Sequence, residues 1–327
     1  MHALPTRVVL FFLGCLPAVA AAGSEGGTIK LASWNLEWLM TPETFSSLKH
    51  QCLSDDSERR MAQRQLPCDV ASKLERSATD FATLARYANE LSADVIAVQE
   101  VDGAAAARLV FRDHNFCFSS ARALQNNGFA IRRGIPYRCA ADYSALSLND
   151  SVRRGVVVVL YPGTADEMQL MSVHLKSGCA RAALDSDATA CRKLAQQVGP
   201  LERWIDDRAR DGARFAVLGD FNRELQREPG PARSATGLQR EIWPEINDGQ
   251  PVGATLSNAA AGSRFRNCAS GQRHSGYIDQ IVLGKLLAAQ WVPDSFERLT
   301  WRAFDAARLT LSDHCPIAIR IQISSRH

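Results

Sequence analysis

No Cys-x-x-Cys pair occurs anywhere in this 327-residue chain, although it carries nine cysteines. The ligand spacing of clustered zinc sites is therefore missing. No internal repeat and no low-complexity tract appears, which excludes a solenoid and a compositionally disordered chain. After the first two dozen residues, no apolar run is long enough to span a bilayer. Aromatic residues make up only 7%. The two longest polar stretches, 41–73 and 223–276, hold no run of them, which argues against an apolar membrane-docking hairpin. Charge is nearly balanced: the net value is +3 and the pI about 8.4. That permits a polyanionic partner without demanding one.

The N-terminus reads as a signal peptide over residues 1–22, with a mature chain over 23–327. Arg7 supplies a short positive region and Val8 to Leu16 an apolar stretch too short to span. Ala18-Val19-Ala20 is a small-x-small cleavage pattern, and a cut after Ala22 is the other option. A lipoprotein reading on Leu13-Gly14-Cys15 is set aside, because Phe12 stands where such signals carry an aliphatic residue. Cys15 leaves with the signal. The remaining eight, Cys52, Cys68, Cys117, Cys139, Cys179, Cys191, Cys268 and Cys315, are an even number in an exported chain. They imply disulfides and a secreted or periplasmic location. Eight cysteines allow 105 pairings. Sequence neighbours are the cheapest guess, and a Cys179–Cys191 bridge would tie the segment after His174 to a helix.

Hydrophobic residues amount to 46%, enough for a sizeable core. From Ser77 to Leu91, Phe81, Leu84, Ala85, Ala88 and Leu91 recur at helical spacing. A second helix is predicted from about Ala190, with Leu194, Ala195, Val198, Leu201 and Ile205 inward. Val156 to Leu160 is continuously apolar, as a strand covered on both faces would be. Ile278 to Leu283 and Ile317 to Ile323 are late strands, the second alternating like an edge strand. Residues 41–73, 175–190 and 223–276 read as insertions or long loops. No linker divides the chain, so 23–327 is expected to be one domain.

Four further apolar runs, Ile29–Ala32, Val95–Val98, Leu170–Val173 and Phe215–Leu218, each lead into chemistry. They are followed by Trp34-Asn35, Gln99-Glu100, His174, and Gly219-Asp220-Phe221-Asn222. Ile278-Asp279 and Ser312-Asp313-His314-Cys315 complete the series. Acids, amides and imidazoles at strand ends are how an α/β enzyme assembles one site from distant segments. Oxygen ligands without clustered thiolates suit a hard cation such as Mg²⁺. Histidines backed by carboxylates suit proton transfer at phosphate. A lone Asp or His at a strand end is usually structural or solvated; an ordered series of them is not well explained that way.

In this order the motifs resemble the endonuclease/exonuclease/phosphatase superfamily, from Ile29 to Ile323. The resemblance implies an α/β fold: a four-layer α/β/β/α sandwich of two mixed sheets, like deoxyribonuclease I. It implies that Glu100 binds Mg²⁺ (Mn²⁺ or Ca²⁺ being alternatives), with Asn35 and Asp313 on the metal side. It casts Asp220 and Asn222 as positioning the attacking water and phosphoryl oxygens, and His314 as working on the scissile phosphate with Asp279 orienting it. His174 matches a second histidine found in the deoxyribonuclease and sphingomyelinase branches. Arg154 is the expected phosphate contact, with adjacent Arg153 leaving the register open, and Lys176 a weaker one. The family's tyrosine has no clear match; Tyr143 qualifies only by type, and the carboxylate partner of His174 is equally unplaced. The expected activity is that of a monomeric, metal-dependent nuclease acting on nucleic acid with little sequence preference. Arginines at 223, 227, 233, 240, 264, 266 and 273 support a nucleic-acid backbone as substrate. A sphingomyelinase-type lipid phosphodiesterase, a phosphomonoesterase and a catalytically silent binding module remain as alternatives.

Overall fold

The computed structural model describes residues 27–324 except 55–56, 58–59, 61–66, 122, 229, 269–271 and 273. The predicted signal peptide and Arg273 lie outside the described residues. Twelve strands form two mixed sheets of six. The first has the order β11 (Glu297–Arg298), β12 (Ile317–Ile323), β1 (Gly27–Leu39), β2 (Val95–Val101), β4 (Asn126–Arg132), β3 (His114–Phe118). The second has the order β5 (Tyr137–Cys139), β6 (Val156–Leu160), β7 (Met168–His174), β8 (Phe215–Asp220), β10 (Asp279–Gly284), β9 (Leu256–Asn258). Each sheet has one parallel pair at its centre, β1 with β2 and β7 with β8. The sheets pack face to face with helices outside, which is the four-layer α/β sandwich.

The two-residue period of a strand explains which side chains face inward. Ile29 and Leu31 lie in the core between the sheets, whereas Ala32, Trp34 and Leu36 pack under the outer helices. Likewise Leu170, Ala216, Leu218 and Ile281 face the other sheet. Extending each alternation one or two steps brings Asn35, His174, Asp220 and Asp279 onto these inner faces, where all four are buried. The parallel pairing sets His174 beside Asp220 in register, and Asp279 stands opposite Asp220 from the antiparallel side. Gly219 permits this close approach: its φ is +146°, and a Cβ there would sit 1.9 Å from the Val173 carbonyl oxygen.

The helix Ala78–Leu91 covers the first sheet and starts with a capping box between Ser77 and Asp80. The helix Thr189–Arg210 covers the second, with Leu194, Val198, Leu201 and Ile205 buried. Val156–Leu160 is buried throughout. The strand Ile317–Ile323 has on its outer side the two-residue β11 and a bridge from Trp291 to Ile321, and exposes Arg320 and Gln322 alternately. Residues 41–73 are a correction: they include a helix, Pro42–Leu53, capped by the Thr41 side chain. Only Phe45 and Leu48 of that helix are buried, so it has no amphipathic stripe to betray it. The eight cysteines pair as sequence neighbours: 52–68, 117–139, 179–191 and 268–315.

Candidate active site

The C-terminal ends of β1, β2, β7 and β8, the start of β10 and the lead-in to β12 meet at one end of the sandwich. The Asn35 amide nitrogen donates to Glu100 Oε1 at 3.3 Å and to Asp220 Oδ2 at 3.1 Å, so one side chain joins carboxylates of both sheets. Its oxygen takes the Glu37 N–H at 2.9 Å. Both ends of the amide are thus used within the protein. Asn35 therefore orients the two acids, and its oxygen keeps a second lone pair. Glu100 also accepts from the Trp38 N–H at 3.2 Å and the Gln125 side-chain amide at 2.6 Å. Strict alternation would turn Glu100 away from the other sheet. A register break in β2 and a φ of +60° swing it back. Glu37, Trp38 and Asn222 also have positive φ.

His314 Nδ1 lies 2.8 Å from Asp279 Oδ2, and its Nε2 faces Asp220 Oδ2 at 3.9 Å and Asp313 Oδ1 at 3.8 Å. Burial opposes the imidazolium, but Asp279, Asp220 and Asp313 together hold its pKa well above the usual histidine value. Asp279 is correspondingly lowered despite its burial, chiefly by His314. His174 Nε2 faces Asp220 Oδ2 at 3.5 Å and Glu100 Oε1 at 3.7 Å, which identifies the two acids nearest it. Burial, with Arg153, His314 and Lys176 nearby, pushes His174 well below its usual value, so it is neutral. The two histidines are thus split in charge, as groups with different tasks are. Burial and Asp279 raise Asp220 to about 7 against the pull of His314. Asn222 donates its N–H to Asp220 Oδ1 at 2.7 Å and its side-chain amide to the Leu175 carbonyl at 3.1 Å.

Glu37 was not anticipated. It lies two residues after Asn35 and accepts the Asp313 N–H at 2.9 Å. Burial, then repulsion from Asp313 and from Glu100, lifts its carboxyl to about 7. Glu37 lies near enough to Asp313 and Glu100 to be repelled by both, and every described cysteine is locked in a disulfide, so the donors at this end are oxygens. That fits a hard divalent cation, whose charge would relieve the repulsion.

Arg153 and Arg154 have different surroundings. Arg154 is spent on Asp150, at 2.9 and 3.1 Å, and on Ser120 Oγ at 3.2 Å. Arg153 instead bonds the Gln125 side chain and feels the charges of Glu100 and Asp220. Lys176 lies close enough to Arg153 for its pKa to be lowered, after burial, by that charge. Tyr143 donates to the Pro200 carbonyl, away from the site. Four of the loop arginines answer to acids of this chain: Arg223 to Glu228 and Glu241, Arg227 to Glu224, Arg233 to Glu245, and Arg240 to Asp185. Of these, Arg223 is fully buried, whereas Arg227 and Arg233 stay more than half exposed. Arg264 and Arg266 are exposed on the loop that also carries His274.

A family model, the endonuclease/exonuclease/phosphatase family, matches residues 32–314. The chain belongs to that family. Its members hydrolyse phosphoester bonds and generally use divalent metal ions. Among solved structures, a Danio rerio TDP2 complexed with single-strand DNA product is similar at TM-score 0.55 and 16% identity, covering 90% of this chain and 98% of that one. An endonuclease/exonuclease/phosphatase from Bacteroides vulgatus is similar at TM-score 0.56 and 13% identity, covering 91% and 99%. An AP endonuclease from Archaeoglobus fulgidus gives 0.52 and 12%, covering 89% and 98%. At these identities the likeness is one of fold. No curated protein matches the chain.

Within this family fold, one buried residue binds the parts of this end together. Arg76 is buried and donates to the carbonyls of Leu36 (3.0 Å), Glu37 (2.8 Å), Trp38 (3.2 Å), Thr310 (3.1 Å) and Leu311 (3.2 Å). It fastens the end of β1 to the segment just before Ser312-Asp313-His314. Ser312 Oγ then donates to the Asn35 carbonyl at 2.8 Å and accepts the His314 N–H at 3.0 Å. An arginine in a polar stretch gives no sequence sign of such a role.

Proposed function

We propose that this protein is a metal-dependent phosphodiesterase of the family, a nuclease hydrolysing nucleic-acid phosphodiester bonds with little sequence preference. The observation that carries the reading is the convergence of an imidazolium, His314 on Asp279, with a carboxyl of pKa about 7, Asp220, their facing atoms 3.9 Å apart. Asp220 takes the proton of the attacking water, its pKa matched to neutral pH. Asn222 shapes the turn that presents Asp220. His314 donates to a non-bridging phosphoryl oxygen and stabilises the charge gathering there. Neutral His174 holds Asp220 and Glu100 in place. Glu37, Glu100 and Asp313 would hold Mg²⁺, with Mn²⁺ or Ca²⁺ as alternatives, and Asn35 would orient Glu100. Bound there, a divalent cation neutralises phosphate charge as a Lewis acid. Arg153 and Lys176 supply cations for the flanking backbone phosphates.

The disulfides support action outside the reducing cytoplasm, in a secreted or periplasmic setting. A lipid phosphodiesterase would need a continuous apolar docking surface. The exposed large apolar residues among those described, Leu53, Leu238, Val252, Leu286 and Phe304, come from separate segments. The test is a side-by-side assay of duplex DNA, single-stranded DNA, RNA, sphingomyelin vesicles and a phosphomonoester, each with Mg²⁺ and with EDTA. Nucleic acid is expected to be turned over fastest, and only with the metal. Faster turnover of sphingomyelin, or full activity in chelator, overturns the reading.

A further inference from the structure

A second, chemically different donor set lies on the far side of His314 from the carboxylates. His274, Asp279 and His314 each offer one ligand atom, and these atoms lie within 4.8 Å of one another. Asp279 Oδ2 takes the bond from His314 Nδ1, but Asp279 Oδ1 has no hydrogen-bond partner although the residue is only 4% exposed. A buried carboxylate oxygen left unpaired is costly, and a cation would satisfy it. The His274 ring packs on that of His314 with centroids 5.1 Å apart. The loop bearing it is tethered to the residue after His314 by the Cys268–Cys315 bridge. His274 Nε2 touches the Gln272 amide nitrogen at 2.5 Å. If the amide donates, that bond holds the Nε2 lone pair, and a cation taken at Nε2 would displace the Gln272 amide.

We propose that His274, Asp279 and His314 form a binding site for Zn²⁺ or a similar borderline transition metal, and that its occupation inhibits hydrolysis. Two imidazoles and a carboxylate with one open position are a zinc-type set, whereas the oxygen-only cluster of Glu37, Glu100 and Asp313 selects hard cations. Ligand softness therefore sorts the two metals, and Zn²⁺ acts without displacing Mg²⁺. Zn²⁺ can bond His314 only as the imidazolium gives up a ring proton to solvent, so occupation removes the proton that His314 would otherwise offer to the phosphate. The inhibition rests on the proposed hydrolysis; the binding does not.

The test is calorimetric titration of the disulfide-intact protein with ZnCl₂ in Mg²⁺-containing buffer, for the wild type, His274→Gln and His274→Ala. The wild type should bind Zn²⁺, and both variants should bind at least tenfold more weakly, as expected for loss of one of three ligands. Co²⁺ added instead should give a visible absorption band that Zn²⁺ abolishes. The Mg²⁺-supported rate of both variants should be unchanged, while the Zn²⁺ concentration giving half inhibition rises tenfold or more. No binding by the wild type, or unchanged affinity in the two variants, overturns the site. Binding with undiminished Mg²⁺-supported hydrolysis overturns the inhibition alone.

Discussion

Arg76 offers the sharpest test of how the reacting end is held together, because it touches none of the proposed substrate-binding groups. Its guanidinium satisfies five main-chain carbonyls, three at the end of β1 and two ahead of Ser312. Replacing it by methionine keeps much of the volume and removes every donor. Each hydrogen bond from a charged donor is worth about 1.5–3 kcal/mol, and each buried acceptor left bare costs about 1–3 kcal/mol. Against this, the burial that lowers the pKa of Arg76 is a desolvation cost that methionine avoids. Removing one member of such a buried polar set typically costs about 3–5 kcal/mol net. For a chain of this size that is a fall in Tm of roughly 10 °C. Arg76→Lys separates holding from mere stability. Lysine retains the charge, but its single nitrogen cannot span both sides of the junction. His314 and Asp313 then drift relative to Asn35, and an error of about 1 Å at reacting groups costs on the order of a hundredfold in rate. We expect Arg76→Lys to lose kcat by tenfold or more with little change in KM, measured on oligonucleotide substrate well below its own Tm. A methionine variant melting within 2 °C of wild type, or a folded lysine variant of unaltered kcat, would refute the reasoning.

His314→Ala should lower kcat by about two orders of magnitude; adding Asp279→Asn should then cost almost nothing, and additive losses would separate the two residues mechanistically. The paired change Cys179→Ser with Cys191→Ser opens a bridge between residues 12 apart and should cost about 3 kcal/mol in thermal or urea unfolding. A loss of kcat at a temperature where this variant stays folded would show that the bridge also places His174. The Glu202 carboxyl is raised to about 8 by burial and by Glu245, Asp206 and Asp248. Its folded form binds the proton more tightly than its unfolded form, so stability from this group falls as pH rises from about 4.5 to about 8. Glu202→Gln should therefore gain Tm over wild type progressively between pH 5 and pH 8.5; an offset independent of pH would refute the assignment.

Much of this was legible because β strands alternate. Asn35, His174, Asp220 and Asp279 extend inward-facing series, so an apolar run ending in a polar residue told both the element and the direction of the side chain. Glu100 breaks that rule: its place after an apolar run marks it in the sequence, but its direction depends on a positive φ that sequence does not announce. Sequence does not distinguish the surroundings of Arg153 and Arg154, because the difference lies in the pairing of Arg154 with Asp150 four residues away. Glu37 could have been found by its spacing from Asn35. Arg76 and His274 could not: each acts through segments more than 30 residues distant or through a loop with no periodicity. The burial of one loop arginine is hidden for the same reason. Arg223 looked like a solvent-facing cation and is instead fully enclosed between Glu228 and Glu241.

The bond from Asn35 to Asp220 crosses from one sheet to the other, and just beneath it Gln99 donates to Ser172 Oγ at 3.2 Å across the same gap. The two halves of the site are therefore graduated on separate scales that must line up, like the two plates of a vernier. Sliding one sheet over the other by a fraction of a strand step would separate Glu100 from His174 while leaving every ladder of main-chain bonds intact. Substitutions deep between the sheets, at Leu31 or Leu218, would then register first as altered turnover and only later as altered melting. Directed variation of that apolar layer becomes a way to tune the enzyme's rate from a distance, with no change to any residue that meets the substrate.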